Sequence, residues 1–368
     1  QKAMYKDMER SPLEVGVDGD PDEFGDRNWS SERRLREQEQ DGVVATVLFP
    51  NTQPPFAPPP ASSFEAPAYA DNFEYRWAGL RAHNRWLAEW CEDLPGRRAG
   101  LAQVFPNDVE ASVMEIHWAA EHGLKGILFP AIPPDADVPK LWSDEYDPIW
   151  RACEETGLSV NQHGGAGVPD YSTAKIKNFL MIMEVPFFAN RSLWHVILSG
   201  VFERFPNLQF VMTEQRTGWV PETLKKMDGV WWAFNNGGVG ELRMDGNSLE
   251  RSPSSYFDTN CTMGASFPSR DEAAARKALG VGTVRWGSDY PQREGTYPDS
   301  VASLRHVFHD WEPADLHELF GGTAAKLYGL DIDHTGDYIG SDGSLLGEDG
   351  APDLRVCLLY TSDAADDT

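Results

Sequence analysis

Cysteine is scarce in this 368-residue chain: four stand at positions 91, 153, 261 and 357, with no Cys-x-x-Cys pair among them. That scatter argues against a disulfide framework and fits a reducing compartment, so the cytoplasm is the default location. Positive charge is scarce too, with 32 Lys and Arg against 58 Asp and Glu, a formal charge of -26. The imbalance repels phosphate backbones and anionic lipid heads, which excludes nucleic acid and membrane surfaces as expected partners and leaves small molecules. No run of about 18 apolar residues occurs, so no membrane-spanning helix is predicted and a soluble protein is expected. A start methionine is also lacking, since the chain opens on Gln1. Neither the true N-terminus nor a targeting segment is readable from it.

What is present points to a large packed core. Apolar residues make up 41% of the chain, with 13 Trp and 18 Phe, a globular composition. The length suits two or three domains, or one α/β barrel. Seven short apolar or β-branched runs read as strands: 43–49, 99–105, 124–129, 158–162, 208–213, 256–261 and 281–286. Helical patterns lie between them at 72–92, 109–122, 145–155, 176–205, 220–234 and 271–279. Two more, 296–310 and the stretch from Glu312 to a Gly329 C-cap, follow the seventh strand. Alternating β and α implies a parallel sheet. The pairs Phe49-Pro50, Phe105-Pro106 and Phe129-Pro130 each close an apolar run, because proline cannot donate to a ladder.

Two residues give the alternation a function. His163 ends one apolar strand in Asn161-Gln162-His163-Gly164-Gly165, and Asp289 follows another in Trp286-Gly287-Ser288-Asp289-Tyr290-Pro291. In a (β/α)8 barrel the C-terminal strand ends converge on one mouth, so ligands distant in sequence can share one ion. A metal-centred barrel enzyme is the reading.

The motifs Val43 to Asn51, Gly123-Leu124-Lys125-Gly126, His163-Gly164-Gly165, Gly200 to Pro206, Trp286 to Pro291 and Gly321 to Leu330, taken in order, resemble the amidohydrolase-related (amidohydrolase 2) family. Within it, the branch of aminocarboxymuconate-semialdehyde decarboxylase is the most similar. The resemblance implies a TIM-like (β/α)8 barrel of the metal-dependent hydrolase type. It also implies a divalent metal, zinc first and manganese as the alternative, serving hydrolysis or non-oxidative decarboxylation. His163 and Asp289 match two of the family's metal-ligand positions. The family's His-x-His pair on the first strand has no counterpart, so seven strands rather than eight are expected, with the first strand lying before Gln1. Glu214 and Gln292 stand where histidine is common.

The expected organisation is a charged segment over 1–40, in which Ser30-Ser31-Glu32 starts a helix, a barrel over 41–333 and an acidic tail over 334–356. Residues 357–368 resemble the conceptual translation of a sequencing adapter and are read as an artefact. Glu214 is the candidate proton-transfer group, and Asp289 a catalytic carboxylate as well as a ligand. Arg216 and Arg293 are candidates to grip a substrate carboxylate, with Phe49, Asn51 and Trp219 lining an aromatic pocket. The substrate class is a small aromatic or unsaturated carboxylate. Competing bland readings are a core histidine for His163, an N-cap for Asp289 and, for Glu214, pairing with Arg216 or a helix N-terminus. His83, His117, His122, His195, His306, His309 and His317 fall in helical patterns without ligand spacing. The stretch 230–234 suits a mouth-covering loop or a homodimer contact. A non-catalytic barrel, binding or remnant, is the alternative, and the sequence as it stands is expected to be inactive by itself.

Overall fold

The computed structural model describes residues 27, 30–50, 73–243, 249–266, 269–292, 295–330 and 361–363. In chain order these form α1 (Ser31–Gln40), β1 (Thr46–Pro50), α2 (Phe73–Glu92), β2 (Arg98–Gln103), α3 (Val109–Glu121), β3 (Gly126–Leu128), α4 (Asp147–Thr156), β4 (Ser159–His163), α5 (Lys177–Leu198), α6 (Val201–Arg204) and β5 (Phe210–Thr213). There follow α7 (Val220–Asn235), α8 (Pro253–Asn260), β6 (Cys261–Ser266), α9 (Arg270–Leu279), β7 (Val284–Gly287), α10 (Ser300–Phe308), α11 (Pro313–His317), α12 (Thr323–Tyr328) and β8 (Thr361–Asp363). The expected strand–helix alternation is present from β1 to β7.

The chain divides into two compact units, one within residues 1–52, 85–101 and 264–368, the other within 53–84 and 102–263. In the first, β1 pairs parallel with β2, Thr46 opposite Arg98 and Leu48 opposite Gly100. On its other edge β1 pairs with β8, Leu48 opposite Thr361. Three of the residues read as foreign thus lie along the edge that a preceding strand was expected to fill. In the second unit, β3, β4 and β5 run parallel side by side. Every residue of β1 to β5 is buried, as parallel strands covered on both faces require.

Local chemistry explains the boundaries. Ser30 caps α1 by accepting from the Arg33 N–H at 3.2 Å, and Asp108 caps α3 through the Ala111 N–H at 2.9 Å. Gly157 and Gly329 close α4 and α12 in the left-handed region, at φ 72° and 60°. The expected helix 176–205 breaks at Gly200, φ 73°, into α5 and α6. One strand, expected over 256–261, was misplaced: 256–260 is helical, and β6 begins only at Cys261. Ser252-Pro253 is a helix start, with proline at N1 where no N–H is missed, and it outweighs the aromatic content that suggested a strand.

The interior of the second unit shows how its helices seat. Phe129, Tyr146 and Trp150 pack as edge-to-face and tilted rings 5.0–6.1 Å apart. The Asn84 side chain donates to the Gln103 carbonyl and to Glu115, and accepts the Gln103 N–H, so α2, β2 and α3 are locked by a satisfied buried amide. Among the described residues Cys91, Cys153 and Cys261 are free and buried, and no helix is long and apolar enough to cross a membrane.

Candidate metal-binding site

β4 and β5 are in register from Val160 opposite Phe210 to His163 opposite Thr213. The Gly164 N–H extends the ladder, donating to the Thr213 carbonyl at 2.7 Å. This sets the residue that closes β4, His163, beside the residue that follows β5, Glu214. Glycine at 164 permits the approach, because a Cβ there would lie 2.6 Å from the Glu214 carbonyl oxygen. Glu214 and Arg216 both adopt φ 55°, a region that residues other than Gly, Asn and Asp seldom occupy and that concentrates at functional turns. The turn returns the Glu214 carboxylate toward β4, where Oε2 lies 3.3 Å from His163 Nε2.

The electrostatics of this pair follow from its other contact. His163 Nδ1 is 2.7 Å from the Gly164 carbonyl oxygen, which can only accept, so Nδ1 carries a proton and donates. The remaining ring nitrogen is turned to the Glu214 carboxylate. Two electron-rich atoms at this distance repel unless a cation lies between them, either a proton on Nε2 or a metal ion. Ligand bonds of about 2.0–2.2 Å at tetrahedral to octahedral angles put two donors of one metal ~3.0–3.5 Å apart. The observed 3.3 Å therefore fits a shared ion. With its Nδ1–H fixed by a backbone carbonyl, His163 also has the outer contact typical of metal-ligating imidazole.

Trp219 donates its indole N–H to the Gln215 carbonyl at 2.6 Å, so it braces the turn that carries Glu214. Arg216 is exposed on that turn. Lys125 precedes β3, away from either candidate ligand in sequence, and carries no assigned role.

Asp289 lies in the other unit, two residues past β7, and is only 2% exposed. At φ 58° it occupies the left-handed region that Asp tolerates. α10 does not begin until Ser300, with Asp299 in the cap position, so Asp289 is not a helix cap. Its loop is tightly tied: Gln292 N–H donates to the Asp289 carbonyl and Thr296 N–H to the Ser288 carbonyl, both at 2.8 Å. Gly295 closes it, since a Cβ there would meet the carbonyl oxygens of Ser288, Asp289 and Gln292 at 2.7–2.9 Å.

α1 supports this loop. The Tyr290 hydroxyl donates to Glu37 Oε2 at 2.6 Å, and Arg34 lies over the Tyr290 ring. Asp41 accepts both the N–H and the hydroxyl of Ser300. Burial raises the Glu37 carboxyl, but hydrogen bonds from Tyr290, Arg33 and Arg27 outweigh it and hold the group below its usual range. Asp41 goes the other way, pushed up to about 6 by burial that the Ser300 hydrogen bonds only partly offset. Sequence reasoning missed Glu37 and Asp41. They sit 253 and 259 positions from their partners, and only the Ser30 cap marked their helix.

Phe49, on β1, is buried at 1% exposure. Asn51 and Arg293 lie outside the described residues. Gln292 is half-buried beside Pro291. Of the helical histidines, His83 and His195 are driven down to about 4 by burial, in keeping with neutral structural rings. Among the described residues no group of three or more His, Cys, Asp or Glu is arranged to hold a metal ion.

The sequence model of the family described as Amidohydrolase matches residues 31–330. No curated protein matches the sequence. Several solved structures share the fold. The 5-carboxyvanillate decarboxylase LigW from Sphingomonas paucimobilis is 23% identical, with a TM-score of 0.64 over 84% of this chain and 86% of that one. A dihydroxybenzoic acid decarboxylase from Polaromonas sp. JS666, with bound manganese and the inhibitor 2-nitroresorcinol, is 17% identical, TM-score 0.62, over 83% and 87%. The 2,6-dihydroxybenzoate decarboxylase from Rhizobium is 19% identical, TM-score 0.60, over 87% and 95%. With its motifs, its βα alternation and these matches in agreement, the chain belongs to the amidohydrolase family and has that family's TIM-like (β/α) barrel fold.

Proposed function

We propose that this protein is a metal-dependent carboxy-lyase that removes carbon dioxide from a small aromatic carboxylate without oxidation. The observation that carries the reading is the His163–Glu214 pair, whose 3.3 Å separation fits two ligands of one ion. Support for decarboxylation over hydrolysis comes from the solved structures of like fold, which act on carboxyvanillate and dihydroxybenzoates. His163 and Asp289 are the proposed ligands of a divalent metal, with Glu214 as further ligand or proton carrier. Manganese is favoured over zinc, because the Polaromonas enzyme holds it. A bound metal supplies Lewis acidity that draws electron density from an oxygen of the substrate.

The chain's own residues do the rest. Arg216, exposed at the turn, and Arg293 are proposed to grip the carboxylate or a neighbouring ring oxygen. Trp219 offers a ring edge beside that turn, and Phe49 and Asn51 complete the proposed pocket. Glu214 delivers a proton to the ring carbon that bears the carboxylate. The carbon–carbon bond then breaks, carbon dioxide leaves, and its electron pair restores the aromatic ring. A soluble, cytoplasmic, homodimeric enzyme completes the proposal. A second reading, a barrel that binds without catalysing, rests on Glu214 and Gln292 standing where the family commonly has histidine.

The test uses protein expressed from its complete reading frame, stripped of metal and reloaded with manganese or zinc, and offered hydroxylated benzoates. Metal-dependent carbon dioxide release is expected, and Glu214→Gln should lower kcat by about 100- to 10,000-fold with KM little changed. Neither carbon dioxide release nor water incorporation across the panel, from protein with stoichiometric metal, would sink the enzyme reading and leave the binding barrel.

A further inference from the structure

Between Asp41 and the loop that carries Asp289 runs a chain of hydroxyl groups whose direction is set by a single proton. Asp41 Oδ2 lies 2.5 Å from Ser300 Oγ, Ser300 Oγ lies 2.6 Å from Thr296 Oγ1, and Thr296 Oγ1 lies 3.3 Å from the Ser288 carbonyl oxygen. That carbonyl belongs to the peptide that leads into Asp289. All four residues are buried and lie in the first unit. The backbone fixes both ends: the Ser300 N–H donates to Asp41 Oδ1 at 2.9 Å, and the Thr296 N–H donates to the Ser288 carbonyl at 2.8 Å.

Each hydroxyl has one proton to give, so the donors can be counted. With Asp41 ionised, Ser300 donates to it, and the 2.6 Å contact then takes the Thr296 proton. Two oxygens are left facing each other at Ser288, where 3.3 Å exceeds the ~2.7–2.8 Å of a hydroxyl hydrogen bond. With Asp41 protonated the order reverses. Asp41 donates to Ser300, Ser300 to Thr296, and Thr296 to the Ser288 carbonyl. One proton at Asp41 thus becomes one further hydrogen bond on the peptide of Asp289. We propose that Asp41 is a positioning residue for Asp289, acting through Ser300 and Thr296, and that its protonated form holds Asp289 the more firmly. Its surroundings let both forms occur. Burial and the charge of Asp299, at the cap of α10, push the Asp41 carboxyl up to about 6 against the Ser300 bonds. Tyr297 faces it from the same loop, and on the α1 side Glu37 is balanced by Arg27 and Arg33. The relay needs no metal, whereas its effect on metal affinity rests on Asp289 being a ligand, as proposed above.

The metal-free full chain, labelled with ¹³C at serine carbonyls and ¹⁵N at aspartate, reports the Ser288–Asp289 peptide directly, its resonance assigned by loss in Ser288→Ala. The carbonyl should step downfield as the pH falls through about 6. It should sit downfield throughout in Asp41→Asn, whose amide donates as the protonated acid does. Thr296→Val should abolish the step and Thr296→Ser restore it. Manganese, by calorimetry, should bind Asp41→Asn about 10-fold more tightly than wild type at pH ~7.5 and equally at pH ~5, the low end for support of a ligand. Deleting an anion would by itself weaken a bound cation, so the sign separates positioning from charge. Should Asp41→Asn fail to fold, the two Thr296 variants carry both readouts, with Val binding manganese the more weakly below pH ~6. A carbonyl that does not move, or that moves alike in Thr296→Val and wild type, would overturn the relay. Manganese bound no more tightly by Asp41→Asn at pH ~7.5, with the carbonyl step intact, would overturn the positioning of Asp289. A wild type that takes no manganese at any pH would sink the metal reading instead, and the carbonyl step would still decide the relay.

Discussion

β5 and β7 are each followed by a carboxylate in the left-handed region, Glu214 and Asp289, but their surroundings are opposite in kind. Around Asp289 the loop is held by donors matched to acceptors: Tyr290 to Glu37, Ser300 to Asp41, Thr296 to Ser288. At His163 the ring nitrogen left after the Gly164 bond is turned to a carboxylate oxygen. The first arrangement fixes a backbone, and the second sets two donor atoms at the spacing that one ion would bridge. A framework and a receptor are thus distinguished by hydrogen-bond accounting rather than by residue type. The sharpest way to break the comparison is to force the receptor apart. Gly164→Ala sets a methyl against the Glu214 backbone, which cannot swing away as a side chain can, so Glu214 must shift from His163. Manganese affinity, read by calorimetry, should fall about 10- to 100-fold, as for lost support of a ligand. Unchanged affinity would show that the pair does not hold the metal.

The framework answers to a different measurement. Gly295→Ala drives a methyl into three carbonyl oxygens at once, Ser288, Asp289 and Gln292. Overpacking with no flexible neighbour to yield should cost about 3 kcal/mol in urea unfolding, the upper end of the usual range. A variant of wild-type stability would mean that the loop after β7 relaxes freely and is no framework.

Asp41 sharpens the same point through pH. Its folded value of about 6 lies above the ordinary 3.8, so the folded state holds the proton more tightly than the unfolded chain does. Its contribution is therefore fully present below pH ~4 and is lost as the pH rises through ~6. Asp41→Asn keeps an acceptor for the Ser300 N–H and a donor for its hydroxyl, but does not titrate. Relative to wild type it should gain up to about 3 kcal/mol between pH ~4 and ~7 in chemical denaturation. A difference that stays flat across this range would show that Asp41 titrates normally.

The two regions were also unequally legible. The juxtaposition of His163 and Glu214 was legible because each closes or follows an apolar run, and a parallel register carries neighbouring strand ends together. Asp289 stood out only as a carboxylate that follows an apolar run. Glu37 and Asp41 were not, since a charged residue in a helix near the start of a sequence has the pattern of a solvated face whether or not a distant tyrosine meets it. The misplaced strand at 256–261 failed differently: Tyr256 and Phe257 are both buried, as in a strand open to neither side, and Pro253 was the signal that should have decided for a helix. The N-terminal half of α5, where Phe179, Ile182 and Met183 are exposed, looked like any buried apolar helix, because sequence cannot say where the body beneath a helix ends.

The smallest expected effect tests whether the framework is additive. Tyr290→Phe removes one hydrogen bond to Glu37, whose carboxylate keeps Arg27 and Arg33 at 2.9 Å. The loss at neutral pH should be about 1 kcal/mol rather than the larger cost of stranding a buried charge. Because Glu37 is held below its usual value, its stabilisation is present above the unfolded carboxyl value and fades as the pH falls. The gap between Tyr290→Phe and wild type should therefore narrow on acidification, with melting temperatures converging near pH ~3. A gap that persists there would place the role of Tyr290 in ring packing against Arg34 and Tyr297, not in its hydroxyl.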